Sequence, residues 1–305
     1  MRMSRTLAVG AALLVLASAC SLGGGSKTTI KIGSVGFDEA RVIAELYAQV
    51  LEENGYTVDR AGIGLGARPV VASAIESGQI ELQPEYIGAR LAYEGGSPTS
   101  DAAATFSALQ QALSAKNLTA LAYTPGTDVD AWVVRPETAE EFGLTTLSST
   151  AAVQDQLEWG LAQDCPTNAL CGAPGGALEE YGITSATIAG ATYLSACDAP
   201  MVQALQQGTI DVAQLCSTQG DILANDWIVL DDDLNTQPAQ NIAPVVRNDL
   251  LAKVGDRAAF DKILSDVSAQ VDDATLTDLN RQISVDRKDV AEVAETWLRA
   301  EGFIK

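Results

Sequence analysis

The chain of 305 residues contains no histidine. The commonest general base at neutral pH and the commonest metal ligand are therefore missing. Serine–histidine and cysteine–histidine nucleophile systems are excluded. Basic side chains are also scarce: 19 Lys and Arg stand against 40 Asp and Glu, for a net charge of −21. No stretch is strongly basic, which argues against a nucleic-acid partner; the acidity itself reads as solubility. The five cysteines lack the paired CxxC spacing of zinc sites. No glycine-rich phosphate loop ending in Lys-Ser/Thr occurs. Gly62-Ile63-Gly64-Leu65-Gly66 has the wrong spacing for a dinucleotide turn. Carboxylates could still do acid–base work, but the usual equipment of an enzyme is absent, and no cofactor or metal is expected.

What is present begins at Cys20. Arg2 and Arg5 precede an apolar stretch from Leu7 to Ala17, which ends in Leu16-Ala17-Ser18-Ala19-Cys20. A basic start, a short apolar core and small residues make a secretory signal, and the stretch is short for a bilayer span. A cysteine directly after the small residues marks a bacterial lipoprotein signal (1–19), with Cys20 acylated as the new N-terminus. The alternative is a plain signal peptide with a chance cysteine; Ala17, three places before Cys20, is not the common leucine. Residues 20–27, rich in Gly and Ser, read as a flexible tether. The mature chain is thus expected outside the cytoplasm, anchored to the outer face of the membrane, in a compartment that permits disulfides.

Roughly 280 residues remain, enough for one large or two medium domains. Thr29–Ser34 reads as a strand. A helix follows from about Glu39 to Asn54, with Val42, Ile43, Leu46, Tyr47, Val50 and Leu51 on one face. Asp38 is the expected N-cap and Gly55 the C-terminal glycine. Thr57–Arg60 resumes as a strand, so the chain opens β-α-β, and the loop from Ser34 to Asp38 lies at a strand's carboxyl end, where ligands of open α/β sheets tend to sit.

An internal echo comes next. Ala74–Gln83 and Ala204–Ala213 share a pattern of helix end, glycine stop and short strand containing an acid. Chance is one reading; two similar α/β lobes is the other. The first strand leads into Pro84-Glu85-Tyr86-Ile87-Gly88 and the second into Cys216-Ser217-Thr218-Gln219-Gly220. If the lobes face each other, these loops border one cleft, the arrangement of a ligand-capture device.

Asp130–Arg135 reads as a strand. Cys165 to Gly176 is a Pro/Gly-rich loop that Cys165 and Cys171 can staple, while Cys197 and Cys216 fall at the carboxyl ends of two strands of a β-α-β unit. Of three possible pairings, Cys165–Cys171 with Cys197–Cys216 is favoured. Asp231-Asp232-Asp233 reads as a solvated turn, because the spaced oxygen ligands of a calcium loop are absent. Asn241–Arg247 is a further strand, and helical spacing dominates from Asp249, with Phe260, Ile263, Leu264 and Val267, then Val290, Val293, Ala294, Trp297 and Leu298. These helices are expected to pack on the first lobe.

These residues resemble the substrate-binding subunit of a glycine betaine/carnitine/choline ABC importer over nearly the whole mature chain. The resemblance is carried by Ile32-Gly33-Ser34 with Phe37 and Glu39, by Ile43-Ala44-Glu45-Leu46-Tyr47, and above all by the run from Leu65 through Arg68 to Pro84-Glu85-Tyr86-Ile87-Gly88. Further matches are Tyr181-Gly182, Ile210-Asp211-Val212, Ser217-Thr218 and Leu230-Asp231-Asp232. It implies an α/β, two-lobed periplasmic-binding-protein fold of type II, each lobe a mixed sheet flanked by helices, with the ligand between them. Lobe 1 would hold 28–124 and 226–305, and lobe 2 would hold 125–225. The implied partners are a small-molecule ligand and an ABC permease with its ATPase; the protein is expected to be a monomer.

In that family a cage of tyrosines often holds a quaternary ammonium by cation–π attraction. Tyr86 matches the cage tyrosine of the Pro-Glu-Tyr loop. Elsewhere the match departs: Asp130 stands where many members have a second tyrosine, with Trp132 nearby; Cys216 stands before Ser217-Thr218, and Gln219 replaces the usual aspartate after them. Val35 replaces a lysine or glutamine, and Asn168 an arginine. Asp128 or Asp130 would suit a cation, which favours choline over glycine betaine. A neutral, polyhydroxylated or aromatic ligand would instead use Ser34, Asn168, Ser217, Thr218 and Gln219, with Phe37 or Tyr86 as a platform. The expected function is solute capture for an importer, without chemistry. The alternatives are a surface receptor without transport and an enzyme on the same fold.

Overall fold

The computed structural model describes residues 28–305; the signal, Cys20 and the tether to residue 27 lie outside them. Two five-stranded mixed sheets form the frame. The first is built from β1 (Thr29–Val35), β2 (Thr57–Gly66), β3 (Leu82–Tyr86), β4 (Leu118–Ala120) and β10 (Ile242–Arg247), in the order β2-β1-β3-β10-β4. The second contains β5 (Asp130–Val134), β6 (Trp159–Ala162), β7 (Thr192–Leu194), β8 (Val212–Cys216) and β9 (Ile228–Val229), in the order β7-β6-β8-β5-β9.

The sheets share one plan. In the first, β1 runs parallel to β2 and β3, and β10 is antiparallel to β3 and β4. In the second, β6 runs parallel to β7 and β8, and β5 is antiparallel to β8 and β9. The sequence echo falls on corresponding parts. The Arg68–Ser77 helix stops at Gly78 and leads into β3; the Ala199–Gln206 helix stops just before Gly208 and leads into β8. Both glycines have positive φ, 82° and 69°, which glycine adopts without a Cβ penalty. An arginine fills the same role in each half: Arg247 Nη1 donates to the carbonyls of Ile75 and Glu76, and Arg135 Nη1 to those of Leu205 and Ile210. Each guanidinium satisfies carbonyls around a helix C-terminus.

The first helix spans Asp38–Glu53, and its predicted apolar face, Val42 to Leu51, is wholly buried. Asp38 is not the N-cap: Phe37 holds that place without a side-chain bond, and Asp38 pairs with Arg41 one turn on at 3.0 Å. The C-terminal helices join this core, contributing Phe260, Leu264, Val293 and Leu298. Gly62–Gly66 lies inside β2, a strand rather than a phosphate turn. Both disulfides, Cys165–Cys171 and Cys197–Cys216, are formed.

The chain crosses between the sheets at residues 121–129 and 230–241. The two crossings are tied: Asn241 Nδ2 donates to the carbonyls of Thr124, Pro125 and Gly126, and Thr127 pairs with Asn241 in an isolated bridge. Among the described residues no helix is long and apolar enough to cross a membrane.

Candidate functional site

A cavity of about 700 Å³ opens where β1 and β8 end. Carboxyl ends of strands from two facing sheets supply loops that converge without disturbing either ladder. The first-sheet side contributes Phe37, Asp38 and Glu39 at the start of the first helix, with Asn280, Ser284 and Arg287 from the C-terminal region. The second-sheet side contributes Asp128, the Cys197–Cys216 disulfide, the start of the Ala199–Gln206 helix, and Thr218, Gln219 and Asp221.

Glu39 is the centre of the site. Its carboxyl is buried and accepts from Tyr86 Oη, Thr218 Oγ1 and Asn280 Nδ2, each at 2.6 Å. Burial raises its pKa above the ordinary carboxylate value, opposed by those three bonds; the charge of Asp273 adds to the rise. Asp128 is raised well above its ordinary range, first by burial and then by the charge of Glu39, although Thr218 N donates to it at 3.3 Å. Tyr86 is driven up by burial and by both acids, and so stays a neutral donor. Neither Glu39 nor Asp128 has a Lys or Arg partner among the described residues. Glu39, buried, and Asp128, half-buried, thus line the cavity from its two sides without a cationic partner among the described residues.

Of the residues singled out in the sequence, Phe37, Asp128, Cys216, Thr218 and Gln219 line this cavity. Gln219 Oε1 is buried without a hydrogen-bond partner among the described residues. Tyr86 lies one layer deeper, its ring centroid 5.6 Å from that of Phe37. Phe37 is the aromatic face on the cavity wall, and it is about half exposed.

The others are placed elsewhere. Ser34 is fully buried between β1 and β2, accepting from Gly64 N and donating to the Val35 carbonyl. Arg68 and Glu85 pair at 3.1 Å, and Glu85 also accepts from Gln83 and Tyr86 N, within the first lobe's interior. Asp130 accepts from Gln214 Nε2, and its pKa is raised by burial. Trp132 belongs to the second sheet's core. Asn168 closes its own loop, donating to Asp164 and accepting from Leu170 N. Ser217 holds the crossing strand, its Oγ accepting from Val129 N. The reading missed Glu39 as a site residue, although it was noted beside Phe37; an acid in a helix's first turn has an ordinary dipole explanation. Asn280 and Arg287 carried no local signal at all.

Among the described residues no group of three or more Cys, Asp or Glu side chains is placed to hold a metal ion. The cavity presents an anionic lining and one aromatic face, Phe37.

Comparison with known proteins places the chain in a family. Glycine betaine-binding protein YehZ of Escherichia coli K12 is 28% identical over 308 residues, covering 98% of this chain and 99% of the relative. The glycine-betaine-binding protein of Pseudomonas aeruginosa is 30% identical over 281 residues, 89% of this chain and 87% of the relative. The apo structure of the Escherichia coli YehZ protein superposes with a TM-score of 0.77 at 26% identity, covering 90% of this chain and 99% of that one. A glycine betaine/carnitine/choline ABC transporter structure has a TM-score of 0.79 at 23% identity, covering 90% and 100%, which supports the shared fold. Residues 28–300 match the OpuAC family, and the chain belongs to that family, the substrate binding domain of ABC-type glycine betaine transport systems.

Proposed function

We propose that this protein captures a small organic cation of the quaternary ammonium class and delivers it to an ABC permease and its ATPase. The observation that carries this reading is that Glu39, buried, and Asp128, half-buried, line one cavity with no basic partner among the described residues. Two such acids cannot both ionise cheaply unless a positive charge joins them. A methylated ammonium donates no hydrogen bond, so charge and a ring face are what can hold it; Phe37 offers the face. The three donors on Glu39 hold its carboxyl in place for that role. The names of the two relatives above point to the same class.

The capture step is closure of two lobes, 28–124 with 226–305 and 125–225, about the tied crossings. The protein performs no reaction on its ligand. It acts outside the cytoplasm as a monomer, held to the membrane by acyl chains on Cys20. Mass spectrometry of the membrane-extracted protein should find a diacylglyceryl group on Cys20, and Cys20→Ser should release the protein to the soluble fraction.

A thermal-shift panel of choline, glycine betaine, carnitine, polyols and aromatic compounds tests the ligand class. A ligand at a hundred times its Kd adds about 2.7 kcal/mol of stability, so a quaternary ammonium compound should raise the melting temperature by several degrees. A shift from a polyol or aromatic compound, with none from any quaternary ammonium compound, overturns the reading.

A further inference from the structure

Five acids line the cavity, Asp38, Glu39, Asp128, Asp198 and Asp221, and a single cation, Arg287. Each acid is already engaged. Asp38 pairs with Arg41, Asp198 caps the Ala199–Gln206 helix, Asp221 accepts from Gln219, and Glu39 and Asp128 hold the network around Thr218. Arg287 is not engaged. Ten arginines lie in the described residues, and every one except Arg287 makes an ion pair, in a chain where acids outnumber bases two to one. Its neighbouring acids are spoken for: Asp286 pairs with Arg281, and Asp289 caps the Val290–Ala300 helix.

The side chain of Arg287 is exposed, and its backbone conformation is a restrained one. Arg287 has φ of 59°, the left-handed region that a residue with a Cβ enters at a cost. It follows a π-turn at Arg281–Val285, and Asp289 begins the next helix two residues on. The facing lobe offers no substitute. Between positions 125 and 225 the only basic residue is Arg135, against thirteen acids, and Arg135 is held by Asp211 and the helix carbonyls. A ligand carboxylate in this cavity therefore has one guanidinium to meet.

We propose that Arg287 anchors the anionic end of a zwitterionic ligand, so that the cavity reads charge at both ends, ammonium against Glu39 and Asp128 and carboxylate against Arg287. This rests on the quaternary ammonium reading above. A guanidinium binds a carboxylate through two parallel N–H bonds, a contact that the hydroxymethyl group of choline cannot make. Arg287 is then the residue that separates betaines from choline.

The test is calorimetric titration of the folded protein with glycine betaine and with choline, for the wild type, Arg287→Gly and Arg287→Lys. Glycine takes positive φ freely, so Arg287→Gly should melt no lower than the wild type. It should weaken glycine betaine by about tenfold or more and leave choline within roughly twofold, and Arg287→Lys should recover part of the loss. Equal loss for both ligands, or loss for neither, overturns the role of Arg287 while the quaternary ammonium reading stands. Wild-type binding of choline without glycine betaine also overturns it alone. If the wild type binds neither, the role of Arg287 falls, and the quaternary ammonium reading falls with it only when carnitine also fails to bind.

Discussion

The hydroxyl of Thr218, just past β8 of the second sheet, donates to Glu39 at the start of the first helix on the other sheet, at 2.6 Å. Asn280 Nδ2 braces both, donating to Glu39 Oε2 at 2.6 Å and to the Thr218 carbonyl at 2.9 Å. The acid read as the ligand's counter-charge is thus also a tie between the two halves of the molecule. Bringing the halves together assembles the anionic wall, and separating them exposes Glu39 to water, where its attraction for a cation is screened.

Glu39→Gln separates the two roles. A glutamine oxygen can accept from Thr218 and Asn280, while its amide donates to Tyr86, whose hydroxyl can accept. The network survives and the charge goes. Melting temperature should hold or rise, because a buried carboxyl no longer needs a proton or a partner. Affinity for a quaternary ammonium ligand should fall by about tenfold or more, read by calorimetry, as one lost buried charge contact is worth at least ~1.4 kcal/mol.

The pH dependence of the empty protein follows from Asp128 and Glu39, whose carboxyls are both raised by burial. The folded state then holds protons that the unfolded state has released, so unfolding stability falls as pH rises. The contribution is complete below the ordinary carboxylate range near pH 4 and is lost as pH climbs through the raised values. Asp130, also raised by burial, adds in the same direction. Against Asp128→Asn, the wild type should therefore lose melting temperature progressively from about pH 4 toward neutrality. A cationic ligand should bind more tightly over the same window and release protons, measured by titration in buffers of different ionisation enthalpy.

Gly220 opens a short helix that rests directly on the C-terminal region. A Cβ there would meet Arg281 Cα at 2.4 Å and its N at 2.5 Å, both backbone atoms that cannot rotate away. Gly220→Ala should cost about 1–3 kcal/mol in denaturant unfolding. It should also weaken ligand binding, since the same contact sets Asn280 against Thr218.

The Cys197–Cys216 disulfide spans 19 positions and forms part of the cavity wall. Replacing both with serine should lower stability by about 3 kcal/mol and reduce ligand affinity. The Cys165–Cys171 pair closes a separation of 6 positions in the loop after β6 and does not line the cavity. Its removal should cost about 2 kcal/mol and leave affinity unchanged, so a calorimetric comparison of the two double variants separates wall from staple.

Much of this fold was legible because its signals are local. The first helix announced itself by Val42, Ile43, Leu46 and Val50 on one face, and the repeated helix–glycine–strand unit at Gly78 and Gly208 foretold two sheets of one plan. Apolar and β-branched content marked β5 as a strand, and the structure puts Trp132 in its core: Asp130, Trp132 and Val134 share one face, and Trp132 and Val134 pack with Leu161 and Val212. The Pro-Glu-Tyr segment was recognised but read as a loop: it forms the end of β3, with Ile87 and Gly88 opening the next helix, and the direction of its side chains was not legible. Glu85 turns inward to Arg68 and Gln83, and the Tyr86 hydroxyl finds Glu39, because both are buried polar groups that need partners.

The amino-acid sequence by itself determined the absence of histidine chemistry and most types of element, and favoured the cysteine pairs, since periodicity, turn residues and short loops act over a few positions. Only the tertiary structure decided which acids meet. Glu39, Asp128, Thr218, and the C-terminal pair Asn280 and Arg287 come from four distant stretches and converge through sheet order and the docking of the C-terminal helices. Burial then changes what they are: an acid in a helix's first turn reads as solvated until a second lobe and an asparagine close over it.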